Sequence, residues 1–159
     1  MLRFPILLAC LLLPAIFLLA CNSAPSDKHT GMEGEQKFAW KDVSLKRWRL
    51  VELDGAAIAA DRNVELKFDG VNRISGNAGI NQIMGGCEHA LVDGGERGYE
   101  YKVQIGPLSS TRMAGSPESM KLETDFLAAL GEVSSARMID GKLLLLKGEE
   151  VSMRFEGLR

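Results

Sequence analysis

The chain has 159 residues, 25% of them charged and 46% hydrophobic, with a formal net charge of −2. That length provides one domain with a real core and calls for no second one. The slightly acidic balance suggests no nucleic-acid partner and no attraction to anionic lipid.

In chain order, the first feature is an export signal. Arg3 precedes an uncharged apolar run over residues 6–19, and Ala20 is the small residue at which such a signal is cut. Leu18-Leu19-Ala20-Cys21 reads as a bacterial lipobox. In that chemistry the Cys21 thiol receives diacylglycerol, residues 1–20 are removed as a lipoprotein signal peptide, and Cys21 becomes the acylated N-terminus, which labelled palmitate would mark. Two rivals compete. An earlier Leu-Leu-Ala-Cys ending at Cys10 has a core of only about six residues. A retained transmembrane anchor would have to use residues 4–20, near the roughly 17-residue lower limit for a span, and accommodate Pro5 and Pro14. Several acyl chains hold a protein to a membrane stably where one does not, so a triacylated Cys21 predicts permanent anchoring. Asn22 stands where an Asp would favour inner-membrane retention, which predicts an outer-membrane, periplasm-facing lipoprotein.

Arg3 is the only charge in residues 1–20, so their removal takes the net charge from −2 to about −3 by the same counting. Residues 21–40 are poor in large apolar side chains and rich in Ser, Lys, Asp, Gly and Glu, the composition of a flexible tether, which leaves residues 41–159 for the folded domain. Of the three cysteines, Cys10 leaves with the signal and Cys21 carries lipid. Cys87 is then without an intramolecular disulfide partner: either buried and inert, or a reactive or intermolecular thiol.

Strand signals dominate the domain. Residues 46–53 carry Trp48, Leu50, Val51 and Leu53 before the turn pair Asp54-Gly55. Val64, Leu66 and Phe68 alternate with Glu65 and Lys67, and Asp69-Gly70 turns the chain toward Arg73-Ile74-Ser75-Gly76 in a hairpin pattern. Gly76, Gly79, Gly85 and Gly86 read as turn or bulge positions, because no helix start follows that could make them a phosphate cradle. Tyr99, Tyr101, Val103 and Ile105 alternate with Glu100, Lys102 and Gln104 in a half-buried strand that Pro107 is expected to end. One helix is marked by Ser116 as N-cap, Pro117 at the first helical position, Glu118 at the positive end of the dipole and Gly131 as the stop. Met120, Phe126, Leu127 and Leu130 form its apolar stripe, flanked by Glu123, Thr124 and Asp125. Residues 135–139, the Asp140-Gly141 turn, residues 142–147, and Val151, Met153 and Phe155 complete a meander. The predicted class is mainly β (α+β): a curled antiparallel sheet or small barrel packed against one helix in the C-terminal half.

Four segments together resemble the META domain family, which includes HslJ-like heat-shock lipoproteins. They are Trp48-Arg49-Leu50 leading to Asp54-Gly55; Arg73-Ile74-Ser75-Gly76-Asn77-Ala78-Gly79-Ile80-Asn81 running to Gly85; Ile105-Gly106-Pro107-Leu108 with Thr111-Arg112-Met113-Ala114, then Glu123 and Phe126-Leu127-Ala128-Ala129-Leu130; and Gly141-Lys142-Leu143 with Met153-Arg154-Phe155. The combination of G-x-A-G-x-N with T-R-M-A is specific, and the resemblance covers about residues 44–157. Members commonly carry one cysteine between the Gly and Asn of the first motif and another directly after T-R-M-A. Here those positions are Ile80 and Gly115, so no role of that pair carries over. The resemblance implies a compact, mostly β domain with a helix, found in bacterial envelope lipoproteins and associated with stress and antibiotic tolerance, with no established enzymatic activity and no cofactor beyond the lipid on Cys21.

Cys87 and His89 would share one face of a strand as a thiol and its base, but no orienting Asp or Asn is identifiable and two ligands make no metal site. Asn77, Asn81, Thr111, Arg112 and Glu123 are the polar residues that match the family motifs. One reading makes them a shared polar pocket in which Arg112 grips a carboxylate. The other, favoured from sequence, has the Asn side chains satisfy turn backbone while Arg112 pairs with Glu123 or caps a chain end. The expected function is a non-enzymatic binding or stress-tolerance module on the periplasmic face of the outer membrane. The membrane is contacted through the lipid, and an envelope protein or small ligand is the unnamed partner. The alternatives are a carrier of a small apolar ligand in a barrel cavity, and an enzyme inhibitor or secretion accessory protein. A continuous apolar cavity would favour the carrier, and a filled core with an exposed patch the protein-binding module.

Overall fold

A computed structural model describes residues 39–92 and 100–158. The expected signal segment, Cys21, Tyr99 and nearly all of the expected tether lie outside the described residues. The elements in order are α1 (Trp40–Ser44), β1 (Arg47–Leu53), β2 (Ala56–Ala57), a 3-10 turn (Ala60–Arg62), β3 (Val64–Phe68), β4 (Arg73–Ala78), β5 (Gln82–Val92), β6 (Glu100–Ser110), α2 (Pro117–Gly131), β7 (Ser135–Ile139), β8 (Lys142–Lys147) and β9 (Glu150–Leu158).

All pairings are antiparallel. The strands follow one another from β1 through β3 to β9, and β9 returns to β1 along Arg47–Leu158 to Leu53–Met153, closing an eight-stranded barrel. β2 adds a short extension on β1 beyond the end of β3. Closure removes most of the exposed edge that an open sheet would present, although β6 pairs with β7 only at Glu100 to Lys102. The Asp54-Gly55 and Asp140-Gly141 pairs turn with positive φ at both residues (44° and 79°, 51° and 74°), the geometry that suits two-residue hairpins and favours Asp-Gly.

Alternation places one side of each strand inside. Trp48 and Leu50 of β1, Val64, Leu66 and Phe68 of β3, Leu143 and Leu145 of β8 and Met153 and Phe155 of β9 are all buried in one continuous core. β8 departs from alternation, since Leu143 to Leu146 are all buried; on its outer side Leu144 lies between Arg137 and Arg154 in the register, with the arginines reaching Glu100 and Glu52.

Two features differ from the sequence reading. Pro107 does not end its strand: β6 continues to Ser110. The register shifts where Gly85 faces Leu108 and Cys87 faces Ile105, so Gly106 and Pro107 together stand opposite Gly86 in a bulge. A proline, with no N–H to offer a ladder, fits such a bulge. The second is β5, which runs eleven residues through the glycine-rich stretch read as turns.

The helices close opposite ends of the barrel. α1 includes Trp40, the last residue of the expected tether, and buries it against Phe68, at the far end of β3 from Val64. α2 begins where expected, with Ser116 Oγ accepting from Ser119 N at 3.2 Å and Pro117 in the first turn. It packs Phe126, Ala129 and Leu130 onto the β4 and β6 side, near the β4–β5 turn. Its buried face includes Glu123 and leaves Met120 38% exposed, which reverses the expected roles of these two residues.

Candidate functional site

Four of the five candidate polar residues lie around the β4–β5 turn and the end of β6, and α2 brings Glu123 to them. Asn81 is their centre. Its backbone N–H donates to Glu123 Oε2 at 3.1 Å, and its Nδ2 donates to Glu123 Oε1 at 2.8 Å and Oε2 at 3.1 Å and reaches Met113 O at 3.2 Å. Its Oδ1 accepts from Met113 N at 2.7 Å and from Thr111 Oγ1 at 2.8 Å. Thr111 Oγ1 accepts from Gln82 N at 3.1 Å. Asn81 is 3% exposed and Glu123 7%, so these bonds satisfy groups that burial would otherwise penalise. With both side-chain ends of Asn81 engaged, the arrangement is a clamp fastening turn, loop and helix.

Asn77 stands apart from the clamp. Its Oδ1 accepts from Gly79 N at 2.8 Å, a local turn bond of the kind expected for an Asn there. Arg112 does not pair with Glu123, whose oxygens face Asn81. It is exposed, and among the described residues no hydrogen bond or ion pair engages its guanidinium. Asn77 fastens its own turn, as the sequence reading has it, whereas the Asn81 side chain reaches beyond its turn to Met113, Thr111 and Glu123, and Arg112 neither pairs with Glu123 nor, among the described residues, caps a chain end.

Beside the clamp lies an open groove of about 740 Å³, lined by Leu108 to Ala114, Met120, Asn81 and Glu123. Met113 is 60% exposed and Met120 38%, so flexible thioethers and one unpaired cation border the same depression. The sequence singled out Arg112 and missed Met120 as a groove residue, because helical spacing assigned it to packing.

Ile80 and Gly115 meet directly at this end. A Cβ on Gly115 would stand 2.1 Å from Ile80 Cδ1. The two positions at which the family resemblance places cysteines are thus in contact, with the Ile80 side chain filling the space that glycine leaves.

At the opposite end, Cys87 and His89 do share the inner side of β5. Cys87 is buried and free, and desolvation pushes its thiol up to about 12, so it remains protonated at neutral pH and is a poor nucleophile. His89 stacks on Trp40 with ring centroids 4.1 Å apart and planes 12° from parallel. Desolvation lowers its pKa, and among the described residues its buried Nδ1 has no hydrogen-bond partner. Among the described residues no group of three His, Cys, Asp or Glu side chains is placed to hold a metal ion.

The family model for the META domain matches residues 41–157. Among solved structures, an NMR structure of a protein from Burkholderia xenovorans shares the fold, with a TM-score of 0.57 and 23% identity, covering 85% of this chain and 97% of that one. No curated protein matches.

Proposed function

This chain belongs to the META domain family, and on that premise we propose that it is a non-enzymatic binding module of the bacterial envelope, anchored by lipid on Cys21 at the periplasmic face of the outer membrane and serving stress or antibiotic tolerance. One observation carries the binding reading: Arg112, unpaired among the described residues, is a cation on a methionine-bordered groove whose floor is fastened by the Asn81–Glu123 clamp. A rigid floor with an uncommitted charge suits recognition of a carboxylate-bearing partner. The carrier alternative draws less support, since Trp48, Phe68, Phe155, Leu143 and Leu145, all fully buried, fill the barrel interior where a ligand would sit.

Complementation of cells lacking the protein tests this reading. Arg112→Ala should fold with an unchanged denaturation midpoint and fail to restore tolerance, while Cys21→Ser should lose palmitate labelling and tolerance together. Full rescue by Arg112→Ala would remove the groove from the function, and undiminished labelling of Cys21→Ser would remove the anchor.

A further inference from the structure

The barrel is closed by unequal seams. β6 pairs with β5 along its length, but with β7 only through Glu100–Arg137, Tyr101–Ala136 and Lys102–Ser135. Val103 N donates to Ser134 O at 2.9 Å, and past that bond no strand among the described residues pairs with β6 on the β7 side. Thr111 N donates to Gln82 O at 3.1 Å on the β5 side. Alternation in an antiparallel ladder then turns the N–H and C=O of Ser109 toward β5, and those of Leu108 and Ser110 toward the open side. Leu108 and Ser110 line the groove together with Met120 of α2, so the open side borders it.

An unpaired stretch of extended backbone recognises another extended backbone, by main-chain hydrogen bonds that supply affinity and side-chain pockets that supply choice. Here the groove offers apolar, flexible side chains at Met113 and Met120, and the chain leaves β6 through Thr111 into Arg112. We infer that an extended peptide segment of a partner protein, bearing a carboxylate, adds as a strand to the open edge of β6 at Leu108 and Ser110 and sets that carboxylate on Arg112. The inference rests on the reading of this groove as the binding face, and adds to it the conformation and charge of the partner. The bulge at Gly106 and Pro107 limits the length of edge on offer, because Pro107 brings no N–H to the seam.

The test uses the full chain in detergent micelles and a synthetic peptide of alternating Thr and Val ending in Asp, with hydrogen exchange and affinity as readouts. Binding should slow amide exchange at Leu108 and Ser110. A copy of the peptide N-methylated at alternate amides should bind roughly tenfold more weakly or worse, since each lost hydrogen bond leaves a partner unsatisfied. A Lys-ended copy should also bind more weakly, and that difference should vanish on Arg112→Ala. Ser110→Pro, which removes one outward N–H at an exposed position, should reproduce the effect of N-methylation. The methylated peptide makes the test independent of whether that variant folds. Equal binding of both peptides, protection confined to other residues, or no binding of the Asp-ended peptide would each overturn strand addition. Complementation separates this from the wider reading: lost rescue by Arg112→Ala beside a peptide that does not pair keeps the groove and discards the strand.

Discussion

The two ends of the barrel are closed by different chemistry. At the α1 end a five-residue helix is held by rings: Trp40 stacks on His89, meets Phe68 edge-on and Tyr101 at a tilt, both at 5.3 Å, and donates its backbone N–H to Tyr101 Oη at 3.0 Å. At the α2 end a fifteen-residue helix with its own cap holds the barrel through Phe126, Ala129 and Leu130 and adds one buried carboxylate on one buried amide. The difference follows from helix length. A single turn has too little cooperativity to persist, so side-chain burial must fix it, whereas a four-turn helix forms readily enough to carry a polar group at a set position. The α1 end thereby becomes a seal, and the α2 end a rigid frame with a groove and a charge left over.

Breaking the seal should have the largest effect. Trp48 is fully buried in the barrel and donates its Nε1–H to Val43 O at 2.7 Å, tying α1 to β1. Trp48→Ala should cost about 3–5 kcal/mol, read from chemical denaturation, and should free the α1 amides to exchange. Against a total stability of about 5–15 kcal/mol that is enough to threaten folding at growth temperature. A wild-type midpoint would show that the ring contributes nothing to closure.

The clamp comes next. Asn81→Ala removes five side-chain hydrogen bonds from one buried site and leaves Glu123 desolvated with only the backbone donor of residue 81, which should cost about 2–3 kcal/mol. Because the loss lies in the pair, Asn81→Ala with Glu123→Ala should cost less than the sum of the single changes, with a coupling of about 1–3 kcal/mol. Additive effects would mean the clamp is no unit.

A third experiment strengthens the same end. Ile80→Cys with Gly115→Cys places two thiols where the Ile80 side chain already reaches the position of a Gly115 Cβ, and their disulfide should raise stability by about 2 kcal/mol, reversed by reductant. Two extra titratable thiols under oxidising conditions would show that the backbones stand too far apart to bridge.

Much of this was legible in sequence where one side of an element faces the core without interruption. Val64, Leu66 and Phe68, and Tyr101 and Val103, alternate visibly, and Ser116-Pro117 announces α2. β5 was hidden because Gly85 and Gly86 bring no apolar side chain to the alternation, and α1 because five residues hold no period. Closure of β9 on β1 pairs the first and last strands of the barrel, far apart in sequence, which local pattern does not encode. In the site, Asn81 was visible only through the motif resemblance. Glu123 looked like a solvated flank, since nothing local reveals that a buried amide from a distant turn will meet it. The freedom of Arg112 is the counterpart of that hidden contact: once Asn81 takes the Glu123 carboxylate, the arginine has none among the described residues.

The smallest effect returns to the seal and concerns acid. His89 is held below its usual value of 6.5 by desolvation, against a weaker upward pull from Asp69. In the unfolded chain the imidazole takes up its proton as pH falls through about 6.5, while the folded protein resists until lower pH. Proton uptake by the unfolded state alone means that stability declines as pH drops below 6.5, and is unaffected by this group above it. The decline should be modest, because His89 is only partly buried and a cation stacked on Trp40 recovers some of the cost. Asp69 stays out of this window, since hydrogen bonds from Val71 and Arg73 hold its carboxyl below 3.8. His89→Phe keeps a flat ring on Trp40 and removes the titration, so its denaturation midpoint should change less between pH 7 and pH 5 than that of the wild type. Parallel pH profiles for the two proteins would place the acid sensitivity elsewhere and leave the stacked ring a purely apolar part of the seal.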